Sequence, residues 1–311
     1  MPSVTPTNKC VLRCVYHCAL ETTLRCTEIT ALRLHMFSLK AFTHSHWTIR
    51  SINMKNNVDV LSLQKRMEAK SLPKVKPTDY RKTDKIGIVP RFLFECAIKL
   101  RIKPLTSASA AIIFHRFFRE VDSTDYDEYL IAASSLYLAG KIKDDPVKIR
   151  DVINVAHNTL NRGAAPLELG DEYWSMRDAI VQAELLIART LKFDLNIEHP
   201  HKYLLYYMKT LQDWLGTSVW NSVPIAKTAA SFLQDFHHSQ KILSHKPSHT
   251  AVCCLSLALQ TYGVQVPLTD ESDEASMWYA AFVQDLNKET HWEIMEDIME
   301  VYKQEADIDA N

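Results

Sequence analysis

Two charged side chains stand where charge is costly. Glu184 lies three or four residues from Ile180, Val181, Ile187 and Ala188. At helical spacing a carboxylate among such neighbours needs a partner or hydrogen bonds. Lys141 closes an apolar stretch, with Tyr137 and Leu138 one turn before it. Each has a plain explanation: an ion pair inside one domain for Glu184, and a cation facing the helix dipole for Lys141. Among the histidines, His237 and His238 are adjacent and so do not face one site, while His245 and His249 straddle Pro247. They read as surface or core residues. His199 and His201 flank Pro200 and read as helix-start residues. Four of the 7 cysteines, Cys10, Cys14, Cys18 and Cys26, have the spacing C-x3-C-x3-C-x7-C. That is not the paired C-x2-C of a zinc ribbon. Cys96, Cys253 and Cys254 complete an odd total which, with no clean signal peptide, points to a reducing compartment. The sequence holds no H-E-x-x-H, no G-x-S-x-G and no convincing nucleophile–base pair. No catalysis, metal or cofactor is expected of this chain.

The composition narrows the options further. Glycine occurs 6 times in 311 residues, about a third of ordinary usage, and no Gly-rich phosphate loop is present. Apolar residues make up 47% and charged residues 23%, as in a globular chain with material for two cores. The longest nearly uncharged apolar run, Thr250 to Leu259, is about half of what a bilayer span needs. The net charge of −1 hides an asymmetry: residues 1–103 carry 19 Lys and Arg against 7 Asp and Glu, and residues 104–311 carry 17 against 30. An acidic folded part is a poor partner for nucleic acid.

Residues 1–53 show no sustained period of 2 or 3.6. Residues 65–85, with Pro73 and Pro77, read as a charged linker. From Ile88 onward, proline and glycine fall near the ends of apolar-periodic runs. Pro90, Pro104, Pro200, Pro224 and Pro247 lie in or near helix starts, and Asp145-Pro146 reads as an N-cap followed by proline at the first helical position. Gly140, Gly163, Gly216 and Gly263 read as helix ends. No long alternating run competes, so the chain reads as all-α, with about ten helices. The segment Leu130–Ala139 is apolar or small all round and must be enclosed by other helices. An offset of 119 residues carries Ala110, Ala111, Ile113, Phe114 and Phe117 onto Ala229, Ala230, Phe232, Leu233 and Phe236. The same offset carries Ala132, Leu136, Leu138 and Ala139 onto Ala251, Leu255, Leu257 and Ala258, which suggests an internal duplication whose match fades in later helices.

The stretches TSASAAIIFHRFF (106–118), DEYLIAASSLYLAGKIKDDPVKIRDVI (127–153) and AELLIARTLKFDLNIEHPHKYLLYYM (183–208) resemble the cyclin box. FHRFF and HPHKYL resemble the transcription-associated branch more than the mitotic one. The resemblance spans about residues 88–305. It implies an all-α fold of two tandem five-helix cyclin-box domains, 86–197 and 198–311, behind a poorly ordered extension and basic linker, 1–85. It also implies a regulatory subunit, not an enzyme, that binds and activates a cyclin-dependent Ser/Thr kinase in a heterodimer by positioning its regulatory helix. Neither nucleic acid nor membrane is an implied partner, and the expected location is nuclear, cytoplasmic or both.

The family further implies kinase-binding roles for particular positions. Lys141 and Glu184 match the Lys and Glu that jointly hold backbone groups at the end of the kinase helix. Leu138, Ile142, Phe193 and Leu195 match apolar contacts. Ala188 falls where mitotic cyclins often carry a larger aliphatic residue. The first helix, RFLFECAIKL (91–100), keeps only a loose likeness to the mitotic substrate-docking stretch, so that patch is not assigned. Two rivals remain: a cyclin-fold scaffold that does not activate, and a general transcription initiation factor. The second would carry a zinc ribbon and basic repeats.

Overall fold

A computed structural model of the chain describes residues 77–83, 85–163, 167–266 and 277–309. The four early cysteines, most of the basic extension and the acidic run 270–274 lie outside the described residues.

The described residues form nine α-helices and three short 3-10 turns, with no strand among them. In chain order the helices are α1 (Ile88–Lys99), α2 (Pro104–Glu120), α3 (Glu128–Ile142), α4 (Ile149–Leu160) and α5 (Asp171–Thr190), then α6 (Pro200–Ser222), α7 (Ile225–Phe236), α8 (Pro247–Thr261) and α9 (Lys288–Asp309). Pro104, Pro200 and Pro247 each occupy the first turn, where a missing N–H costs nothing. Asp127 caps α3, accepting from the N–H groups of Tyr129 and Leu130. No helix of the described residues is long and apolar enough to cross a membrane.

The central helix is α3. It packs against α1, α2, α4 and α5, and from Ile131 to Ala139 only Tyr137 is not buried. Its Ala and Ser residues allow the close approach that four neighbours require. α8 stands in the same relation to α6, α7 and α9, with Ala251 through Leu255 at 0% exposure. The 119-residue offset carries α3 onto α8 end to end and α5 onto the body of α9. The sequence match fades there, but the helix placement does not. Phe117 and its counterpart Phe236 are both fully buried, each contributing about 1.5–3 kcal/mol of burial.

Several expectations need correction. Asp145 does not cap the following helix, which starts at Ile149 after Lys148. Instead its carboxylate accepts from the backbone N–H of Lys103 at 2.9 Å, tying the entry of α2 to the loop after α3. Gly140 is helical and has no left-handed backbone; it is small because the loop folds back on it. A Cβ there would lie 2.9 Å from the Asp145 carbonyl oxygen and 3.0 Å from Val147 Cγ2. The stretch read as a linker to residue 85 includes Tyr80, which is 2% exposed. Its ring meets Phe92 and Tyr129 edge-on, and its hydroxyl donates to Glu95 at 2.6 Å. Trp174, Trp214 and Trp292 are about half exposed.

Candidate helix-docking site

The two suspect charges meet. Lys141 Nζ donates to Glu184 Oε1 at 2.7 Å and to Oε2 at 2.8 Å, joining the last turn of α3 to the middle of α5. The ammonium also lies 4.1 Å from the centre of the Tyr137 ring, one turn back on α3. Burial disfavours the charged ammonium, yet the hydrogen bond and charge of Glu184, helped by Tyr137, outweigh it and raise the Lys141 pKa above the ordinary lysine value. The Lys141 side chain is 47% exposed and that of Glu184 16%. The pair therefore sits at a rim, open to further partners. Lys141 has a third N–H, for which the Tyr137 side chain competes, and the carboxylate has lone pairs beyond the two in use.

The loop after α3 fixes the lysine's position. The Asp145 N–H donates to the Gly140 carbonyl at 2.9 Å, with Asp144 in the left-handed region at φ 50°. On the other side, α5 ends in a Schellman turn. The Phe193 N–H donates to Ala188 O at 2.8 Å and the Lys192 N–H to Arg189 O at 2.9 Å. Glycine usually fills the left-handed position of such a turn. Here Lys192 and Phe193 stand there at φ 53° and 58°, a strained conformation for residues with a Cβ. The turn is anchored to α2 by Arg116, whose Nη2 donates to Asp194 Oδ2 at 2.8 Å. It leaves Phe193 at 64% exposure.

The remaining predicted site residues divide by depth. Ile142 and Leu195 are half-buried. Leu138 and Ala188, each about one helical turn from Lys141 or Glu184 in the chain, are buried at 6% exposure and offer little surface. The apolar surface comes from residues that the sequence reading did not select. Trp174, Val181 and Leu185 are each more than 40% exposed. Their spacing of seven and then four places them on one stripe of α5. The opposite stripe, Tyr173, Ile180, Ala183 and Ile187, faces the core. Glu184 sits between Val181, on the exposed stripe, and Ile187, in the core, and not in the middle of one apolar face.

Other reactive groups are held inert. Burial pushes the Cys96 thiol up to about 12 and raises those of Cys253 and Cys254 as well. His245 and His249 face Asp297 and Asp285 at 2.8 and 3.1 Å.

Known proteins similar to this chain share its helical arrangement. The cyclin N-terminal domain family matches residues 59–196. That match begins earlier than the sequence resemblance, in keeping with the burial of Tyr80. The chain is 29% identical over 215 residues to Cyclin-K of Danio rerio, covering 69% of this chain and 48% of that protein. It is 29% identical over 220 residues to Cyclin-T1-5 of Arabidopsis thaliana, covering 68% of this chain and 35% of that protein. The chain thus spans less than half the length of these curated relatives. Among solved structures, a chain of the yeast RNA Pol II CTD kinase CTDK-1 complex superposes with a TM-score of 0.55 at 19% identity, covering 71% of this chain and 66% of that one. A chain of the CAK complex from Chaetomium thermophilum superposes at 0.54 with 16% identity, covering 79% and 72%. These two likenesses establish the fold.

Proposed function

We propose that this chain is a regulatory cyclin subunit that binds and activates a cyclin-dependent Ser/Thr kinase. The observation that carries the reading is the rim-exposed Lys141–Glu184 pair, with exposed Leu185 next to Glu184 in the chain and exposed Phe193 in the turn that ends the same helix. A kinase regulatory helix ends in backbone groups without intrahelical partners. A lysine with a spare donor beside a carboxylate with spare lone pairs can satisfy them, while Phe193, Leu185, Ile142 and Leu195 cover the helix's apolar side. Seated there, the helix brings its Glu to the ATP-positioning Lys of the kinase, an ion pair that phosphoryl transfer requires. Activation is then a population shift, because the cyclin binds the active arrangement better than the inactive one.

The reading extends to organisation and partner. Residues 86–197 and 198–311 form two tandem repeats, centred on α3 and α8. The stretches INVAHNT (153–159), PLELGDEYW (166–174) and HPHKYLLYYMKTLQDWL (199–215) resemble cyclin Q, also called cyclin M. The kinase that this resemblance implies is cyclin-dependent kinase 10. Co-purification with candidate kinases, followed by phosphorylation of a generic substrate, tests the proposal. Activation by this chain supports it, and a stable complex without activation assigns a scaffold instead.

A further inference from the structure

Three imidazoles far from the charge pair converge inside the fold. His199 precedes α6, His201 lies in its first turn, and His237 follows α7. One nitrogen from each lies within 4.8 Å of the others. The rings of His201 and His237 are 5.4 Å apart at their centres, and those of His199 and His201 are 5.9 Å apart. His237 is 0% exposed and His199 8%. Each ring has a buried nitrogen without a hydrogen-bond partner: Nδ1 of His199, Nδ1 of His201 and Nε2 of His237.

The surrounding bonds fix what two of those nitrogens are. His237 Nδ1 lies 2.7 Å from the Leu233 carbonyl, which can only accept. Nδ1 therefore carries the proton and Nε2 the free lone pair. His199 Nε2 lies 3.0 Å from Ser109 Oγ, and that hydroxyl gives its own proton to Leu105 O at 2.7 Å. His199 Nε2 is thus the donor, and Nδ1 keeps the lone pair. His201 has Gln234 as its polar neighbour, but Gln234 Oε1 completes no full hydrogen bond. Burial lowers the pKa of His199 and His201 to about 3 and holds His237 well below its ordinary value, so all three are neutral at pH 7.

We propose that His199, His201 and His237 form a binding site for a divalent transition ion of the Zn2+ class. A buried lone pair without a donor is costly. A single water can donate to only two such atoms, whereas a cation takes those two lone pairs and that of His201 Nδ1 in the tautomer protonated at Nε2. In protein metal sites the ligating histidine donates its other N–H to a carbonyl or polar side chain, which fixes the ring and tautomer. His237 and His199 show that arrangement, with Leu233 and Ser109 as outer partners. Neutral imidazoles in a three-member cluster suit Zn2+ with water in the fourth position and do not suit Ca2+ or Mg2+. The ion joins the start of α6 to the end of α7 and, through Ser109, to α2. His115 strengthens that link from α2, since its Nε2 lies 2.9 Å from His237 O. This site is independent of the kinase reading.

The test uses the full chain with Cys10, Cys14, Cys18 and Cys26 changed to Ser, so that no early thiol competes. After chelation and dialysis, Zn2+ is added in a calorimeter, and Co2+ is added for absorption spectroscopy. The expected result is one equivalent of Zn2+ bound, with a Co2+ spectrum free of thiolate charge transfer and a higher thermal midpoint. Ser109→Ala, which leaves every ring in place, weakens binding about 10-fold or more. His201→Gln and His237→Gln abolish it. Should either of those two fail to fold, X-ray absorption on the Zn2+-loaded parent decides, with three imidazole shells expected. No binding by the folded parent, a thiolate spectrum, fewer than three imidazoles, or unchanged affinity in His201→Gln would each overturn the site.

Discussion

Lys141 and Glu184 are 43 residues apart in the chain, and one ammonium is bonded to both oxygens of one carboxylate, at 2.7 and 2.8 Å. Half of the lysine side chain nevertheless remains open to solvent. Such a pair is placed to do more than hold two helices together. Exposed ion pairs contribute about 0–1 kcal/mol to folding. Lys141→Ala is therefore expected to leave the free chain folded, with an unfolding free energy within about 1 kcal/mol of the parent. Equilibrium denaturation measures this. A much larger loss would make the pair a structural bridge.

Phe193 is the apolar counterpart. It is held outward by a strained turn and packs little of its surface at 64% exposure. Phe193→Ala should cost the free chain less than about 1 kcal/mol, because an exposed ring loses little burial. As an interface anchor it should cost about 2 kcal/mol or more of kinase affinity. Lys192→Gly should raise the thermal midpoint slightly, since glycine removes the left-handed strain. Parallel denaturation and kinase-binding measurements check both variants.

Gly140→Ala sets two effects against each other. Alanine in a helix interior is worth about 1 kcal/mol over glycine. Against that, the new Cβ meets the Asp145 carbonyl at 2.9 Å and Val147 at 3.0 Å, and overpacking against backbone costs about 1–3 kcal/mol. The clash should win, destabilising the chain and displacing the turn that positions Lys141. A variant more stable than the parent would show that the loop after α3 yields freely.

The packing of α8 against α9 predicts an acid limit. Burial lowers the pKa of His291 to about 4, with Ser256 Oγ at 2.8 Å and the Tyr279 ring stacked 4.4 Å away. The folded value is depressed relative to about 6.5 in the unfolded chain. This contribution to stability is therefore full above pH 6.5 and is lost as pH falls toward 4. The slope is up to about 1.4 kcal/mol per pH unit. His291→Gln should flatten the stability profile in that window by about this amount, and an unchanged slope would contradict it.

The helices were legible in the sequence because burial repeats at 3.6 residues and proline marks their starts. The 119-residue offset was visible in small and aromatic residues at the two most enclosed helices. It faded at α5 and α9, where half of each helix is solvated and solvent constrains residue type weakly. Lys141 and Glu184 were legible as misfits, a charge beside apolar neighbours. Tyr80 was hidden because its flanks are charged and one aromatic has no period. Trp174, Val181 and Leu185 were hidden for the opposite reason: an apolar residue on a helix gives no sign of which way it faces. The convergence of His199, His201 and His237 depends on how α6 and α7 cross, which no local pattern records.

The central claim is that the charge pair grips a kinase helix. The most direct measurement is phosphorylation by the partner kinase at limiting amounts of parent, Lys141→Ala and Glu184→Ala chains of equal folded content. Loss of one member of a pair that becomes desolvated in the complex costs about 2–5 kcal/mol, so each variant should activate at least about 30-fold less well at low concentration. Activation by both variants at parental level and concentration would contradict the account.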